Sequence, residues 1–163
     1  MTLLEKARSV AEAARSSGHL ETLPTHTESI DSEGIHFILR ELEHLERKRA
    51  LPRTRRNPFL PPEPALTVGP ISDTHVCVLN KFNVVDLHLL FVTCAYEDQQ
   101  EPLTLADFDA LCRGLQEFDG LAFYNSGPTS GASQPHRHLQ LVRPCRDDLG
   151  RLVQPESLQH GGR

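Results

Sequence analysis

The chain has 163 residues, of which 38% are apolar and 24% charged, as in an ordinary globular protein with the length of one domain. Acidic residues outnumber basic ones, and a net charge of −5 gives no reason to expect nucleic acid or an anionic membrane as a partner. No apolar run approaches the roughly 18 residues of a membrane span, and the N-terminus lacks the apolar core of a secretory signal, so we expect a cytoplasmic protein.

Four cysteines, Cys77, Cys94, Cys112 and Cys145, are widely separated along the chain. They form no CxxC pair, so neither a zinc knuckle nor a redox-active dithiol is indicated. A disulfide framework is more typical of shorter secreted chains, and we therefore expect reduced, mostly buried thiols.

The N-terminal part of the chain predicts a helix, a strand and a long connector. Apolar residues recur at helical spacing over residues 3–15, and the β-rich run 35–39 predicts a short strand that 41–49 either continues or follows with a helical turn. Residues 47–56 hold six basic residues and are interpreted as a solvated loop, with a basic rim that attracts polyphosphate as the alternative. The proline-rich residues 57–64 predict an extended connector outside any sheet centre.

The densest apolar pattern follows this connector. Short β-rich runs predict strands at 75–79, 88–93, 121–125 and 138–142. Between the second and third of these, Thr104 followed by Asp107 has the spacing of a capping box, which begins a helix. The residues expected to form the buried stripe of that helix are Leu105, Phe108, Leu111, Leu115 and Phe118.

Strands and helices that alternate without regular βαβ spacing indicate an α+β fold with a mainly antiparallel sheet and flanking helices. We expect a single domain over residues 1–143, with a helical lead-in at 1–30 and the basic and proline-rich connector at 47–64. Residues 144–163 show no apolar face and predict a poorly ordered tail.

The segment with the most chemistry runs from Asn125 to Gln140. Its first part is rich in Gly, Ser and Thr, and such a loop can turn backbone N–H groups and hydroxyls toward a phosphate, although most loops of this composition are only turns. In its second part, strand alternation places His136, His138 and Gln140 on one side, and Arg137 on the other, where we expect a surface residue. Chance alone gives a His-x-His-x-Gln pattern in roughly 2% of shuffled chains of this composition.

Three interpretations of the two histidines remain open on the residues alone. They are an inert pair that is hydrogen-bonded on a half-buried strand, or two ligands of a zinc site that needs His88 or His75 as a third ligand. In the third interpretation one imidazole is a nucleophile toward phosphorus, and the loop amides stabilise the charge of the transition state.

Residues 136–140 resemble the catalytic motif of the histidine triad superfamily, and the final Gln is similar to its nucleotidyltransferase branch, the ATP adenylyltransferases or diadenosine tetraphosphate phosphorylases. Further segments are similar to that family in the same order, which together cover about residues 30–143: FILRELEHLERK, NPFLPPEPAL, SDTHVCVLNKFNVVDLHLLFVT, Gln99 to Phe108, FYNSG and SGASQPHRHLQLV. The resemblance implies a histidine-triad-like fold. Members of the family continue well beyond this motif, so the chain resembles an N-terminal portion, and Asp86-Leu87 departs from the usual local turn.

The resemblance implies that His138 is the nucleophile, which takes AMP as a phosphoramidate, with His136 and Gln140 in support. Asn125 and the turn at 131–134 would hold phosphates. The full set of implied nucleotide- and phosphate-binding residues is Lys48, Asn80, Lys81, Asn125, Gly131, Ala132, Ser133, Gln134, His136 and Gln140. Within this set, Lys48 would reach a distal phosphate, while Asn80 and Lys81 would line the nucleotide pocket instead of being a turn residue and a solvated cation.

The implied reaction is reversible: diadenosine tetraphosphate and inorganic phosphate give ATP and ADP through an adenylyl-histidine. Mg²⁺ would accompany the polyphosphate, with no tightly bound metal, and the partners would be dinucleoside polyphosphates, ATP, ADP and phosphate. Because a neutral imidazole must attack, we expect a lowered pKa for His138. The alternatives are a truncated nucleotide-binding fragment with little turnover, and a hydrolase that releases AMP to water, against which Gln140 argues. Self-association and a missing C-terminal portion are both left open.

Overall fold

The computed structural model describes residues 1–42 and 56–143, together with the strands at 145–146, 152–153 and 155–156. In chain order the helices and strands are α1 (Leu3–Ser16), β1 (Thr25–Ser32), β2 (Ile35–Leu42), β3 (Thr67–Pro70), β4 (His75–Leu79), β5 (Leu89–Thr93), α2 (Leu105–Glu117), β6 (Leu121–Phe123), β7 (His138–Val142), β8 (Cys145–Arg146), β9 (Leu152–Val153) and β10 (Pro155–Glu156). Single 3₁₀ turns lie at Pro64–Leu66 and Pro128–Ser130.

The chain divides into two units, one made of residues 1–22 with 52–143 and the other of residues 23–51 with 144–163. This division differs from the single domain expected over 1–143. The reason is that β2, which precedes residues 52–143, pairs with β10, which follows them. Pairing between segments more than 100 residues apart leaves no periodic signal in the sequence.

The smaller unit is built on the β1–β2 hairpin, which is in antiparallel register from Thr25↔Leu42 to Ser32↔Ile35. The strand predicted at 35–39 is confirmed and extends to Leu42. Strand β10 pairs in parallel with β2, and β8 pairs with β9, so six residues of the expected tail lie in short strands.

The larger unit contains a five-stranded sheet in the order β3-β4-β5-β7-β6, in which every pair is antiparallel. This confirms the predicted α+β fold with a mainly antiparallel sheet. Strands β4 and β7 have the predicted bounds, whereas β5 begins one residue later and β6 ends two residues earlier than expected.

The two faces of this sheet have different coverings. One face carries the main core, in which Leu79, Phe91 and Leu139 are buried together with the apolar residues of α1. On the other face a small cluster of Val78, Leu90 and Val92 is covered by Phe59 of the proline-rich connector. The second face therefore has the smaller apolar cluster, and the candidate functional site lies on it.

Helix α1 confirms the helix predicted at 3–15. It begins at a capping box in which Thr2 and Glu5 satisfy one another's backbone N–H groups. The buried residues are Leu3, Ala7, Ala11 and Ala14, at the spacing of one helical face. Small side chains on this face let the helix lie close to the sheet.

Helix α2 begins as predicted, with a capping box between Thr104 and Asp107. Its expected buried stripe is wrong in part, because Leu105, Phe108 and Leu115 are exposed, Leu105 to 88%. Leu111 is half-buried, and Phe118, just after the helix, is buried as expected.

The face of α2 that turns inward carries Asp107, Ala110 and Gly114 instead. A Cβ placed on Gly114 would lie 2.4 Å from the ring of Phe91, so only a glycine permits this approach. The close contact and the buried carboxylate of Asp107 decide which face of the helix packs, and neither is visible in an apolar pattern.

The described cysteines are free, but the expectation of mostly buried thiols is wrong for two of them. Cys77 lies in the core, and burial raises the pKa of its thiol, whereas Cys94 and Cys112 are exposed. No helix among the described residues is both long enough and apolar enough to cross a membrane.

We predict that Gly114→Ala lowers the free energy of unfolding by about 1–2 kcal/mol, because overpacking against Phe91 outweighs the better helix propensity of alanine. Urea denaturation measures this change, with the exposed Gln116→Ala on the same helix as a near-neutral control. Phe91→Leu should cost less in the Gly114→Ala background than in the native chain. Simple additivity of the two changes would contradict the packing argument.

Candidate active site

The candidate site lies on the face of the sheet that Phe59 covers. The ring centroids of His136 and His138 lie 5.7 and 5.4 Å from that of Phe59. In the sheet register His138 is opposite Val92 and Gln140 is opposite Leu90, and both of these partners belong to the Phe59 cluster. The prediction that His136, His138 and Gln140 share one side of their strand is therefore confirmed.

The imidazole of His138 is oriented by the backbone two residues before it. Its Nδ1–H donates to the carbonyl oxygen of His136 at 2.8 Å, and a carbonyl can only accept, so the proton of the neutral ring is on Nδ1. Nε2 therefore carries the lone pair. The buried side-chain atoms without a partner among the described residues are Asn83 Oδ1 and Arg137 Nε. Nε2 of His138 also has no hydrogen-bond partner among the described residues, yet it is not one of these buried atoms. Solvent therefore reaches it.

The environment of His138 favours its neutral form. Burial lowers the pKa of the imidazole, and the neighbouring His136 lowers it further, whereas the hydrogen bond to the His136 carbonyl acts in the opposite direction. The net pKa is below the ordinary histidine value of 6.5. The ring is therefore neutral at pH 7, as expected for a nucleophile.

His136 is fully buried and is held from both ring nitrogens. The Oδ1 atom of Asn57 accepts from the backbone N–H of Phe59, so the Asn57 amide nitrogen faces His136 Nδ1 at 2.9 Å and donates to it. The Nε2–H group then donates to the carbonyl of Thr93 at 2.9 Å. Burial lowers the pKa of His136, and backbone hydrogen bonds to Thr93 and Ala95 and the charge of Glu97 only partly offset it.

Gln99 is a residue of the site that the sequence did not single out. Its side-chain oxygen accepts from the backbone N–H of His138 at 2.7 Å, and its amide nitrogen donates to the carbonyls of His138 and Asn125 at 3.1 and 2.8 Å. Gln99 thus joins the start of β7 to the start of the Gly- and Ser-rich loop. The only available signal was that residues 99–108 resemble the family, which assigned no role to this side chain.

The loop after β6 turns through a 3₁₀ turn that ends at Gly131, where φ is +93°. The side-chain nitrogen of Asn125 is 3.6 Å from where a Cβ of residue 131 would be, so Asn125 lies beside this turn. The amides of Ser130, Gly131 and Ala132 donate to carbonyls within the loop, so these three are not bare donors. Ser133 is exposed and Gln134 is half-buried.

The residues predicted for the nucleotide pocket have other partners in the structure. The side-chain nitrogen of Asn80 lies 3.3 Å from Nδ1 of His88, and Lys81 donates to Glu63 at 3.1 Å. A hydrogen bond from His19, burial and the contact with Lys81 all act on Glu63, and its pKa is lowered on balance. Lys48 and most of the basic connector lie outside the described residues.

Gln140 contacts His88, one of the two candidate third ligands of the zinc interpretation. Nε2 of His88 lies 2.9 Å from Oε1 of Gln140, while the other candidate, His75, bonds to Asp107 at 3.1 Å. Across residues 1–42 and 56–143 no three His, Cys, Asp or Glu side chains are grouped so as to hold a metal ion.

Arg137 is buried, so the surface position expected for it is wrong. It does lie on the side of the strand opposite the histidines, but that side faces the protein interior, and its side chain is buried instead of being at the surface. Its Nη1 donates to Glu97 at 2.6 Å and to Asp107 at 3.2 Å. These carboxylates make burial of the cation possible, and both lie at least 30 residues away in sequence.

Asp107 is the centre of this buried polar network. One oxygen contacts His75, and the other accepts from the N–H and hydroxyl of Thr104 at 2.6 and 2.7 Å as well as from Arg137. Burial acts to raise the pKa of this carboxyl, but hydrogen bonds from Thr104 and His75 and the charge of Arg137 outweigh it and lower the pKa. The carboxylate is therefore ionised and ties α2 to the residue between the two histidines.

A family model described as the Ap4A phosphorylase N-terminal domain matches residues 1–152. The chain is similar to diadenosine 5',5'''-P1,P4-tetraphosphate phosphorylase 2 of Saccharomyces cerevisiae, with 32% identity over 86% of this chain and 50% of that protein. It is also similar to the protein APA1 of the same yeast, with 36% identity over 53% of this chain and 31% of that protein.

Solved structures show the same relationship. Yeast Ap4A phosphorylase Apa2 in complex with AMP superposes with a TM-score of 0.72 at 28% identity, over 87% of this chain and 51% of that one. The Apa2 complex with Ap4A gives a TM-score of 0.70 at 28% identity, over 87% and 52%. The chain thus spans about half the length of these structures, and half or less of the curated relatives it matches.

We predict that Arg137→Met lowers the free energy of unfolding by about 3 kcal/mol, because it leaves the buried Asp107 carboxylate without its cation. Arg113→Met is the matched control, since it removes an exposed ion pair with Asp109 and should cost less than about 1 kcal/mol. Urea denaturation of both variants tests this. Equal losses would show that the Arg137 network contributes no more than a surface pair.

Proposed function

This chain belongs to the Ap4A phosphorylase N-terminal domain family, and from that premise we propose that it is a nucleotidyltransferase acting on diadenosine tetraphosphate (Ap4A) through a covalent adenylyl group on His138. One observation carries the proposal: His138 is a neutral imidazole whose Nε2 has no protein partner among the described residues and is reached by solvent. A nucleophile needs this combination of a lone pair and access.

In the first step Nε2 attacks an α-phosphorus of Ap4A. The new N–P bond forms as the bond to the bridging oxygen breaks, and ATP leaves with that oxygen and its electron pair. Positive charge develops on the imidazole, and the carbonyl of His136 that accepts from Nδ1 stabilises it. Inorganic phosphate then attacks the same phosphorus, the N–P bond breaks, and ADP is released. Each step is reversible, which gives ATP adenylyltransferase activity in the other direction.

The phosphate oxygens need donors on the same face. Gln140 lies on the face of His138, and Asn125 lies beside the Gly131 turn. We assign phosphate binding to these two residues and to the turn at 131–134. The amides of Gly131 and Ala132 already donate within the loop, so the exposed Ser133 hydroxyl and Gln134 would supply the donors of this turn. Asn80 and Lys81 are assigned to the nucleotide pocket and Lys48 to a distal phosphate, and Mg²⁺ enters as part of the polyphosphate substrate.

A second function is favoured by one observation, the coverage of only about half of each solved relative. In this alternative the chain binds nucleotide and becomes adenylylated but turns over slowly without a further segment. The two functions differ only in the second step, so a test of the covalent intermediate and a test of its transfer to phosphate separate them.

We predict that incubation with α-labelled ADP or Ap4A leaves acid-labile, base-stable label on the chain, and that His138→Ala abolishes it. His26→Ala, an exposed histidine of the smaller unit, is the control and should keep the label. If added phosphate removes the label from the chain and labelled ADP appears, the result supports the transferase. Label that stays on the chain supports the binding fragment. Absence of label, or label that survives in His138→Ala, contradicts the covalent mechanism.

We also predict how the labelling rate depends on pH. Because the pKa of His138 lies below 6.5, the rate should fall as pH is lowered and the imidazole gains a proton, with the midpoint of this decline below pH 6.5. Ap4A is the donor to use, since it has no terminal phosphate monoester with a second pKa near 6. A midpoint well above pH 6.5 would mean that a different group, or a histidine with a raised pKa, is the nucleophile.

A further inference from the structure

We propose that His88 is a positioning residue that decides which end of the Gln140 side-chain amide faces the substrate. The inference rests on the proposed function, because it concerns the phosphate-binding role of Gln140. His88 immediately precedes β5, and the register of β5 with β7 places Leu90 opposite Gln140, so the two side chains meet across neighbouring strands. Nε2 of His88 lies 2.9 Å from Oε1 of Gln140, and both residues are buried.

The direction of this hydrogen bond follows from the residues at its other end. The backbone N–H of Phe82 donates to Oδ1 of Asn80 at 3.4 Å, which identifies the remaining amide atom of Asn80 as nitrogen. That nitrogen donates to Nδ1 of His88 at 3.3 Å. The backbone N–H of Asn80 also donates to the carbonyl of His88 at 2.9 Å, which holds the two residues together.

A neutral imidazole whose Nδ1 accepts carries its proton on Nε2. His88 therefore donates to Gln140, and the Gln140 atom that it contacts is the carbonyl oxygen. Three successive hydrogen bonds, from the Phe82 backbone through Asn80 and His88, thus fix the orientation of an amide whose two ends are alike in shape.

The consequence lies at the opposite end of that amide. Nε2 of Gln140 has no partner in the described part of the chain, and it is not among the buried atoms without partners, so solvent reaches it. Gln140 therefore presents two N–H donors from the face it shares with His138. With the amide turned over, an oxygen would face the phosphate and repel it. His88 selects the attractive end.

Donors directed at the phosphoryl oxygens matter most when charge on these oxygens grows in the transition state. Loss of His88 should therefore slow adenylyl transfer more than it weakens nucleotide binding. A residue that only stabilised the fold would instead lower the amount of active protein, and it would act independently of Gln140.

The test is a double-mutant cycle with His88→Phe, Gln140→Ala and both together, in which the single-turnover rate of adenylylation and the dissociation constant for AMP are measured on the full chain. We expect His88→Phe to slow the rate about 10- to 100-fold, as for other partners that orient a reacting group, with the dissociation constant within about threefold. The double variant should be no slower than Gln140→Ala alone. Effects that multiply, or a rate unchanged in His88→Phe, would overturn the proposal.

Two further variants separate positioning from folding. His88→Gln retains a side-chain donor and should recover part of the rate lost in His88→Phe, whereas failure to exceed His88→Phe would count against positioning. His26→Phe, the same substitution at an exposed site in the smaller unit, should keep the native rate. The free energy of unfolding is measured for each variant, so that rates are compared between folded proteins.

A measurement that needs no turnover distinguishes this inference from the proposed function. Long-range ¹H–¹⁵N spectra of the native chain should show His88 as the tautomer protonated on Nε2. The Nδ1 tautomer would overturn the positioning role even if His138 is adenylylated. If the protein is not adenylylated but His88 is the Nε2 tautomer, the proposed function fails while the series of hydrogen bonds to Gln140 exists.

Discussion

The hydrogen bond from Nδ1 of His138 to the carbonyl of His136 is the interaction on which the rest of the site depends. It places the proton on Nδ1 and leaves the lone pair on Nε2, the atom that we propose attacks the substrate. The acceptor is a backbone carbonyl, so the position of this hydrogen bond depends on the position of the chain at residue 136. The His136 ring is in turn anchored by Asn57 on one side and Thr93 on the other, which helps to hold this part of the chain in place.

Strand β7 separates two environments, and the proposed chemistry uses both. Arg137 and Leu139 point toward the helices, where a buried ion pair and an apolar core hold the strand in place. His138 and Gln140 point to the other face, where Phe59 packs beside His138. The proposed polyphosphate site therefore lies on a strand that is also held in place from its opposite face.

Several side chains in the site are amides whose two ends differ only in hydrogen bonding. Gln99 uses its oxygen on the N–H of His138 and its nitrogen on two carbonyls, while Gln140 uses its oxygen on His88. Such amide side chains can fix the orientation of a neighbouring group through hydrogen bonds while occupying little space. They are difficult to identify in a sequence, because a glutamine in a loop or on a strand has no local signature of the partner it will meet.

Local rules determined much of this protein from its sequence. The caps at Thr2 and Thr104, the bounds of β4 and β7, and the common side of His136, His138 and Gln140 all follow from interactions within a few residues or from strand alternation. Only the tertiary structure decided that Arg137 is buried, that Gly114 of α2 faces the protein core, and that His88 meets Gln140. These outcomes depend on contacts between segments some 20 to 50 residues apart, and an apolar pattern carries no information about the shape or hydrogen-bonding capacity of a distant partner.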